Sequence, residues 1–359
     1  MALDSANPWR NDGLPCFRSS KKKPTRVSIL LPPRESRREA ELLRLLERDG
    51  VKAGPAHIAI ITDDPGWHGA QLQRALADRG QGGDYVSLTA CRFELADRQS
   101  PPVILPGFTG RLPGGVFVRG VPGGTLEQVV FYLNVLHGLR ELGVKVYNDA
   151  RAVERTVDKG MTSFLLHRAG VPTPPTWVLQ ERAHALALAE QELRAGHQLV
   201  TKPLFGSQGE GLQRLENLDD LFRLASSNGI YYLQRFVDCG AQAYHDWRVF
   251  VIRGRAVAAM RRLGQSWLNN IAQGGRCEAA RLDDPIARLA EAAAAVMDMD
   301  YAGVDVICDA AGCYSVIEVN SVPAWKGLQG VCEFNIADAL VEDFLAQCAT
   351  APSWREGAP

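Results

Sequence analysis

The chain has 359 residues, 46% of them apolar, with 40 basic residues against 41 acidic ones and a formal charge of -1. Length and apolar content allow two or three packed units and exclude a chain that is disordered throughout, while the near-neutral balance excludes a module built mainly to hold nucleic-acid backbone. No run approaches the ~18 apolar residues of a spanning helix, the start lacks the apolar stretch of a signal peptide, and the eight cysteines show neither a CxxC pair nor zinc-like spacing; a reduced, cytoplasmic protein with no membrane or nucleic-acid partner is expected.

Residues 1–55 read as a partly flexible N-terminal extension. Pro8, Gly13, Pro15, the lysines at 21 to 23, Pro32 and Pro33 argue against a regular opening, and residues 35–48 read as an amphipathic helix stopped by Gly50. From His57 the run HIAIITDD, followed by the helix-like GAQLQRALADRG, is a βα unit. A strand over 115–119 leads through the turn at Gly123 and Gly124 into a helix over 125–142, and VKVYN closes a small α/β domain, 56–150, with a mostly parallel sheet. A helix over 159–168, a proline-bounded segment over 171–178, a helix over 183–195, the strand HQLVTKPL and a glycine-rich loop follow. Strands and helices then alternate up to a terminal helix over 336–346.

The loop KPLFGSQGEGL sets Lys202 at a strand end ahead of Gly206, Ser207, Gly209 and Gly211. Glycines let backbone amides close on phosphate oxygens, and the lysine supplies a compact charge; a Walker A loop would instead carry its lysine after the last glycine. Taken alone, the loop reads more simply as a glycine-rich hairpin. AGVDVICD and YSVIEVNS, joined by Ala310, Ala311 and Gly312, read as a hairpin with Glu318 and Asn320 on one face, and either register considered puts Asp305 on that face too. Three oxygen donors suit magnesium, which binds a few carboxylates plus nucleotide phosphates. The alternative is a solvated face, yet both carboxylates sit in apolar runs, where an unpaired charge is costly. In DWRVFVIRGRAVAAMRR, Asp246 and Arg248 share a strand face, Gly254 turns the chain, and Arg261 and Arg262 close the returning strand. Arginines there either stabilise charge on a transferred phosphoryl group or form surface ion pairs.

Taken in order, DK at 158 and 159, KPLFGSQGEG, LQRF at 233 to 236, DWR, NNIAQGG at 269 to 275, and GVD followed by EVN resemble the ATP-grasp ligases over roughly residues 56–349. Within them the chain looks most like the RimK-like branch, whose members add glutamate to a ribosomal protein's end or to small cofactors. The segment from VFVRGVPGG to VERTVDK is similar to the archaeal tetrahydromethanopterin glutamate ligases. The resemblance implies an α/β (α+β) ATP-grasp fold: a Rossmann-like pre-ATP-grasp domain over 56–150, a central lid domain over 151–235, a C-terminal antiparallel-sheet domain over 236–349, and a tail over 350–359.

Carried over by position, it implies that Lys159 and Lys202 touch the nucleotide phosphates under the loop of Gly206, Ser207, Gly209 and Gly211. Gln234, Arg235 and Phe236 form the adenine-side hinge, Asp246 reaches the ribose side, and Asp305, Glu318 and Asn320 hold magnesium or manganese. Asn270 lies near the terminal phosphate, and Arg248 near the reacting carboxylate or phosphate; with Lys202 these two are the catalytic candidates. The family's hinge commonly has glutamate where Arg235 stands, and Leu268 replaces an arginine often found two residues before Asn270. The substrate candidates are Arg119, the turn at Gly123 and Gly124, and Arg261; Trp267 and Trp325 either stack on an aromatic acceptor or pack in the core. The implied reaction uses ATP to turn a carboxylate into an acyl phosphate, which the α-amino group of glutamate attacks, so the partners are a small-molecule carboxylate acceptor and an amino acid, with homo-oligomerisation open. Two alternatives stand beside it: a glutamate ligase acting on a protein C-terminus, and a nucleotide-binding regulatory protein without turnover.

Overall fold

The structure, a computed structural model, describes residues 57–96, 100–206, 209–240, 244–264, 266–267 and 276–350. The expected N-terminal extension with its helix over 35–48, Ser207, Asn270 and residues 351–359 lie outside the described residues.

The apolar run HIAII forms β1 (His57–Ile61), buried from Ile58 onward, and the helix Gly66–Ala77 lays Leu72, Ala75 and Leu76 on the sheet. The chain returns as β2 (Gly82–Val86), which the sequence reading does not anticipate, because GGDYV has too few apolar residues to show a strand's period. It forms at the sheet edge, where pairing with β1 supplies the order that its own side chains do not. A short hairpin of β3 (Arg92–Phe93) and β4 (Val103–Ile104) precedes β5 (Gly115–Val118); the helix Leu126–Glu141, started by a Thr125–Gln128 capping box, leads to β6 (Val146–Tyr147). The first sheet is parallel throughout, in the order β2-β1-β5-β6. Its winding direction reverses between β1 and β5, and the crevice at the carboxyl ends of such a pair is where open α/β sheets take ligands.

After the helices Ala150–Val157 and Lys159–Arg168 comes a second, antiparallel sheet. It joins β7 (Thr176–Leu179), β8 (Leu199–Thr201), β9 (Gln213–Leu215) and β10 (Tyr231–Arg235) in the order β7-β10-β8-β9, covered by the helix Arg182–Arg194. The third sheet, also antiparallel, contains β11 (His245–Ile252), β12 (Arg255–Leu263), β13 (Arg276–Ala279), β14 (Tyr301–Cys308) and β15 (Tyr314–Asn320), in the order β13-β12-β11-β14-β15. One face of this sheet packs on the alanine-rich helix Asp284–Met297, which starts at the Asp283 cap and stops at Asp298 in the left-handed region.

The other face shares a core with the first sheet: Ile60, Leu72 and Phe117 meet Phe250, Tyr301, Trp325 and Phe344, the last from the terminal helix Ile336–Thr350. Fully burying a side chain such as Phe250 or Phe344 is worth roughly 1.5–3 kcal/mol, so this cluster fixes the first sheet against the third. Among the described residues, no helix is long and apolar enough to cross a membrane.

Candidate active site

A cleft of about 630 Å³ opens between the second and third sheets. On one wall, Asp158 caps the helix Lys159–Arg168 by accepting from the Gly160 and Met161 amides, which fixes Lys159 in the first turn. The Lys159 ammonium donates to the Gly206 carbonyl at 2.7 Å, tying the helix to the glycine loop. Burial pulls its pKa down, opposed by the charges of Glu318 and Asp158. At Gly211, φ is +72° and an added Cβ would lie 2.7 Å from Pro203 Cγ, so the loop's return needs glycine here.

Lys202 enters the cleft from the end of β8 and donates to Gln234 Oε1 at 2.7 Å. Burial pulls its pKa down to about 8; Lys159 pushes the same way, while Glu318 and Asp305 oppose. Gln234 is 3% exposed, and its amide nitrogen donates to Thr176 Oγ1 at 2.9 Å and Tyr232 Oη at 3.1 Å. Its side chain therefore holds Lys202 in place. Arg235 turns its guanidinium to buried Glu192, with contacts of 2.6 and 3.1 Å. Phe236 lines the cleft under the Arg214 guanidinium, 3.9 Å from its ring centroid, with Trp267 at its edge.

On the opposite wall, two β-bulges decide which side chains face inward. In the β11–β12 hairpin Val251 lies opposite Ala256 but Phe250 opposite Ala258, so Val257 is an extra residue. The shift pairs Asp246 with Arg262 and sends Arg261 to the other face, where it bonds Glu278 at 2.9 Å. Expecting Arg261 to contact substrate in this cleft is thus corrected: Arg262 lines the cleft and Arg261 does not. An unbulged hairpin, counted from Gly254, would have placed Arg261 opposite Asp246. Between β14 and β15, Val306 lies opposite Val316 but Asp305 opposite Glu318, leaving Ile317 as the extra residue. Bulges re-aim side chains in this way beside functional sites.

The inward residues form a buried ion-pair chain. Asp246 takes a two-pronged contact from Arg262, at 2.6 and 3.0 Å, and Arg262 also reaches Asp305 at 2.9 Å. Arg248 grips the same Asp305 carboxylate with both Nε and Nη2. Burial raises the Asp246 pKa to about 6 against the pull of Arg262. Burial also acts to raise Asp305, but the charges of Arg248 and Arg262 prevail and hold it below the usual range. Glu318 and Asn320 remain as the open oxygen donors. Glu318 lines the cleft without an ion pair or hydrogen bond among the described residues, and its charge acts on both lysines. Asn320 donates its amide nitrogen to the Gly303 carbonyl at 3.4 Å, which leaves its oxygen for a cation. This donor set fits a hard divalent ion, with Asp305 already neutralised by two arginines.

The first sheet holds the segment that follows these donors. Asn148, fully buried, donates to the Tyr301 and Ser321 carbonyls at 2.8 Å each; Arg119 donates to the Val322 carbonyl at 3.3 Å; and His68 Nε2 accepts from the Trp325 amide at 3.1 Å. Arg119 itself lies behind the cleft wall, and Trp325 is fully buried in the core. Sequence reasoning misses Asn148, His68 and Glu192 because each acts through contacts far along the chain, and Tyr232 because a tyrosine two residues before Gln234 in a strand reads as core packing; for Arg262 the arginine pair itself was the available signal.

Two lysines under a glycine loop, facing hard oxygen donors on an antiparallel sheet, define a protein that handles a nucleotide with a divalent metal. The chain belongs to the RimK-like ATP-grasp family, whose domain model matches residues 156–344. It is an ATP-dependent ligase with the ATP-grasp fold, and its chemistry uses ATP and a divalent metal. Among its relatives is the tetrahydromethanopterin:alpha-L-glutamate ligase of Methanocaldococcus jannaschii, 35% identical over 210 residues, 56% of this chain and 70% of that protein. The protein of the same name from Methanosarcina acetivorans is 27% identical over 318 residues, 79% of this chain and 96% of its own. The solved structure of the ATP-grasp ligase PsnB with a phosphomimetic variant of its minimal precursor, Mg and ADP shares the fold, with a TM-score of 0.62, 21% identity, and coverage of 82% of this chain and 98% of that one.

Proposed function

We propose that the protein joins glutamate to a small-molecule acceptor bearing a carboxylate, in an ADP-forming reaction in the cytoplasm. The observation that carries this reading is one cleft in which Lys159, Lys202 and the glycine loop face Glu318, Asn320 and the Arg248–Asp305–Arg262 chain. The glutamate and the small acceptor are taken from the archaeal relatives' names. The proposed division runs 56–150, 151–235 and 236–349, with the cleft between the last two units.

In this reading Lys202, held by Gln234, and Lys159 bind the phosphates, while Phe236 packs beside the adenine. Glu318 and Asn320 would hold magnesium, beside an Asp305 already engaged by Arg248 and Arg262; the ion would supply charge neutralisation at the phosphates. Arg248 and Arg262 offer guanidinium charge to the phosphoryl group as it passes to the acceptor carboxylate. The acyl phosphate so formed is attacked by the glutamate amine, releasing phosphate. Closure of the glycine loop excludes water from that mixed anhydride.

To test this, the protein is incubated with magnesium, ATP and labelled glutamate, together with either the small-molecule or the macromolecular fraction of a host extract. Label entering the small-molecule fraction, matched by ADP, supports the proposal. Label confined to macromolecules assigns the activity to a protein end instead, and no label in either rejects glutamate.

A further inference from the structure

Lys202 fixes the sense of the hydrogen bonds behind it. An ammonium only donates, so the Gln234 carbonyl oxygen is the atom it meets at 2.7 Å, and the Gln234 amide nitrogen is left to donate to Thr176 Oγ1 and Tyr232 Oη. Thr176 gives its own proton to the Pro174 carbonyl at 2.8 Å. Tyr232 Oη already accepts from Gln234, so its proton goes to its other partner, Ser163 Oγ, at 2.8 Å. Both residues are buried.

Ser163 then has a proton of its own to place. In the same stretch of helix, Thr162 turns its hydroxyl back onto the Arg155 and Asp158 carbonyls, and Thr156 does so onto Ala152 and Val153. Ser163 makes no such bond among the described residues, where its partner is Tyr232. Ser163 does line a second, small cavity of about 10 Å³, together with Lys159, Thr162, Thr173, Tyr232 and Glu318. That is the space of one water molecule. A hydroxyl proton without an acceptor and a carboxylate without a donor thus share one polar cavity, and a polar group left unmatched inside the protein is costly.

We propose that Tyr232 and Ser163 are positioning residues: through Gln234 at one end and a single water in this cavity at the other, they join Lys202 to Glu318 in one directional hydrogen-bond chain. The inference rests on the roles given above to Lys202 at the phosphates and Glu318 at the metal, and deepens them. Every donor in the chain points away from the ammonium and toward the carboxylate, so each bond polarises the next. At one end the chain stops the Gln234 amide from turning its N–H groups on Lys202. At the other it gives Glu318 a hydrogen bond from behind the cleft, the kind of support that aims a carboxylate at a cation. The helix Lys159–Arg168 then positions both phosphate lysines, Lys159 in its own first turn and Lys202 through Ser163.

The test is nucleotide binding by the full chain, followed by calorimetry with Mg·ADP, and does not depend on turnover. Tyr232→Phe and Ser163→Ala should each weaken binding about tenfold, and Ser163→Ala should raise the magnesium concentration that saturates ADP binding by a similar factor. Ser163→Thr, which keeps the hydroxyl, should restore both. Tyr232→Phe removes one oxygen and leaves the ring packing, so it separates lost positioning from lost folding. Because Tyr232 acts through Gln234, the same substitution should cost nothing further in a Gln234→Met background. Wild-type affinity in Tyr232→Phe beside weak binding in Lys202→Met overturns the chain alone, as does a Tyr232→Phe loss that adds in full to that of Gln234→Met. Wild-type affinity in Lys202→Met removes the phosphate role of Lys202, and this inference with it.

Discussion

If, as proposed, Lys202 binds the nucleotide phosphates, nucleotide binding should be measurable as proton uptake. In the free protein its pKa is pulled down to about 8. At pH 8.5 about three quarters of the molecules then carry a neutral amine, and at pH 6.5 almost none do. Phosphate returns the ammonium to its ordinary range, so binding Mg·ADP at pH 8.5 should take up about 0.7 proton from solvent onto Lys202, with Lys159 adding in the same direction. Calorimetry in two buffers of different ionisation enthalpy measures that number directly. Lys202→Met should abolish most of it, and wild-type affinity should fall as pH rises above about 8. The folding linkage has its own sign: a lysine whose folded pKa lies below its ordinary value of 10.5 binds fewer protons when folded, so its contribution to stability improves as pH climbs from about 8 toward 10.5. Equal heats in both buffers at pH 8.5, or uptake that survives in Lys202→Met, would refute the assignment of Lys202 to the phosphates.

Arg262→Met strands Asp246 and removes one of two partners from Asp305, and should destabilise the fold by about 3–5 kcal/mol at pH 7.5 in urea titrations. The Asp246 pKa, at about 6 already above its ordinary value of 3.8, should rise further without Arg262, so the loss should shrink at pH 5.5, where the carboxyl is protonated; a loss independent of pH would count against the pairing. At Gly303 an added Cβ would lie 2.6 Å from Pro323 Cβ and 3.2 Å from Arg248 Cδ. Gly303→Ala should therefore displace the Val322–Gly327 segment and lower kcat while leaving ATP affinity nearly intact, which steady-state kinetics would show. Glu318→Gln should raise the magnesium concentration needed to saturate ADP binding by about tenfold or more, and an unchanged requirement would remove Glu318 from the metal set.

Much of this architecture is legible in local pattern. HIAII, VFV and the alternation in DVICD and SVIEVN announce strands because burial on one or both faces writes itself into residue type, and Asp158 announces a helix start through its own hydrogen bonds. Legibility ends where one residue of register matters. The bulge at Val257 decides between Arg261 and Arg262, and nothing in RAVAAMRR marks it, since any of its small apolar residues can occupy the extra position. Nor is the use of Gln234 visible: an amide on a strand end is ambiguous until Lys202, Thr176 and Tyr232 surround it. Asn148 and His68 are harder still, because their partners lie 153 to 257 residues away. The edge strand β2 was hidden by its glycines, and only the pairing offered by β1 gives it order.

The central claim, activation of a carboxylate as an acyl phosphate in this cleft, is tested most directly by replacing the amine. The protein is given Mg·ATP, the acceptor-containing small-molecule fraction and hydroxylamine in place of glutamate, and the nucleotide product and hydroxamate are measured together. Formation of ADP in step with hydroxamate, lost in Glu318→Gln and Lys202→Met, is the predicted result. AMP with pyrophosphate, or hydroxamate yield unaffected by those substitutions, would contradict it.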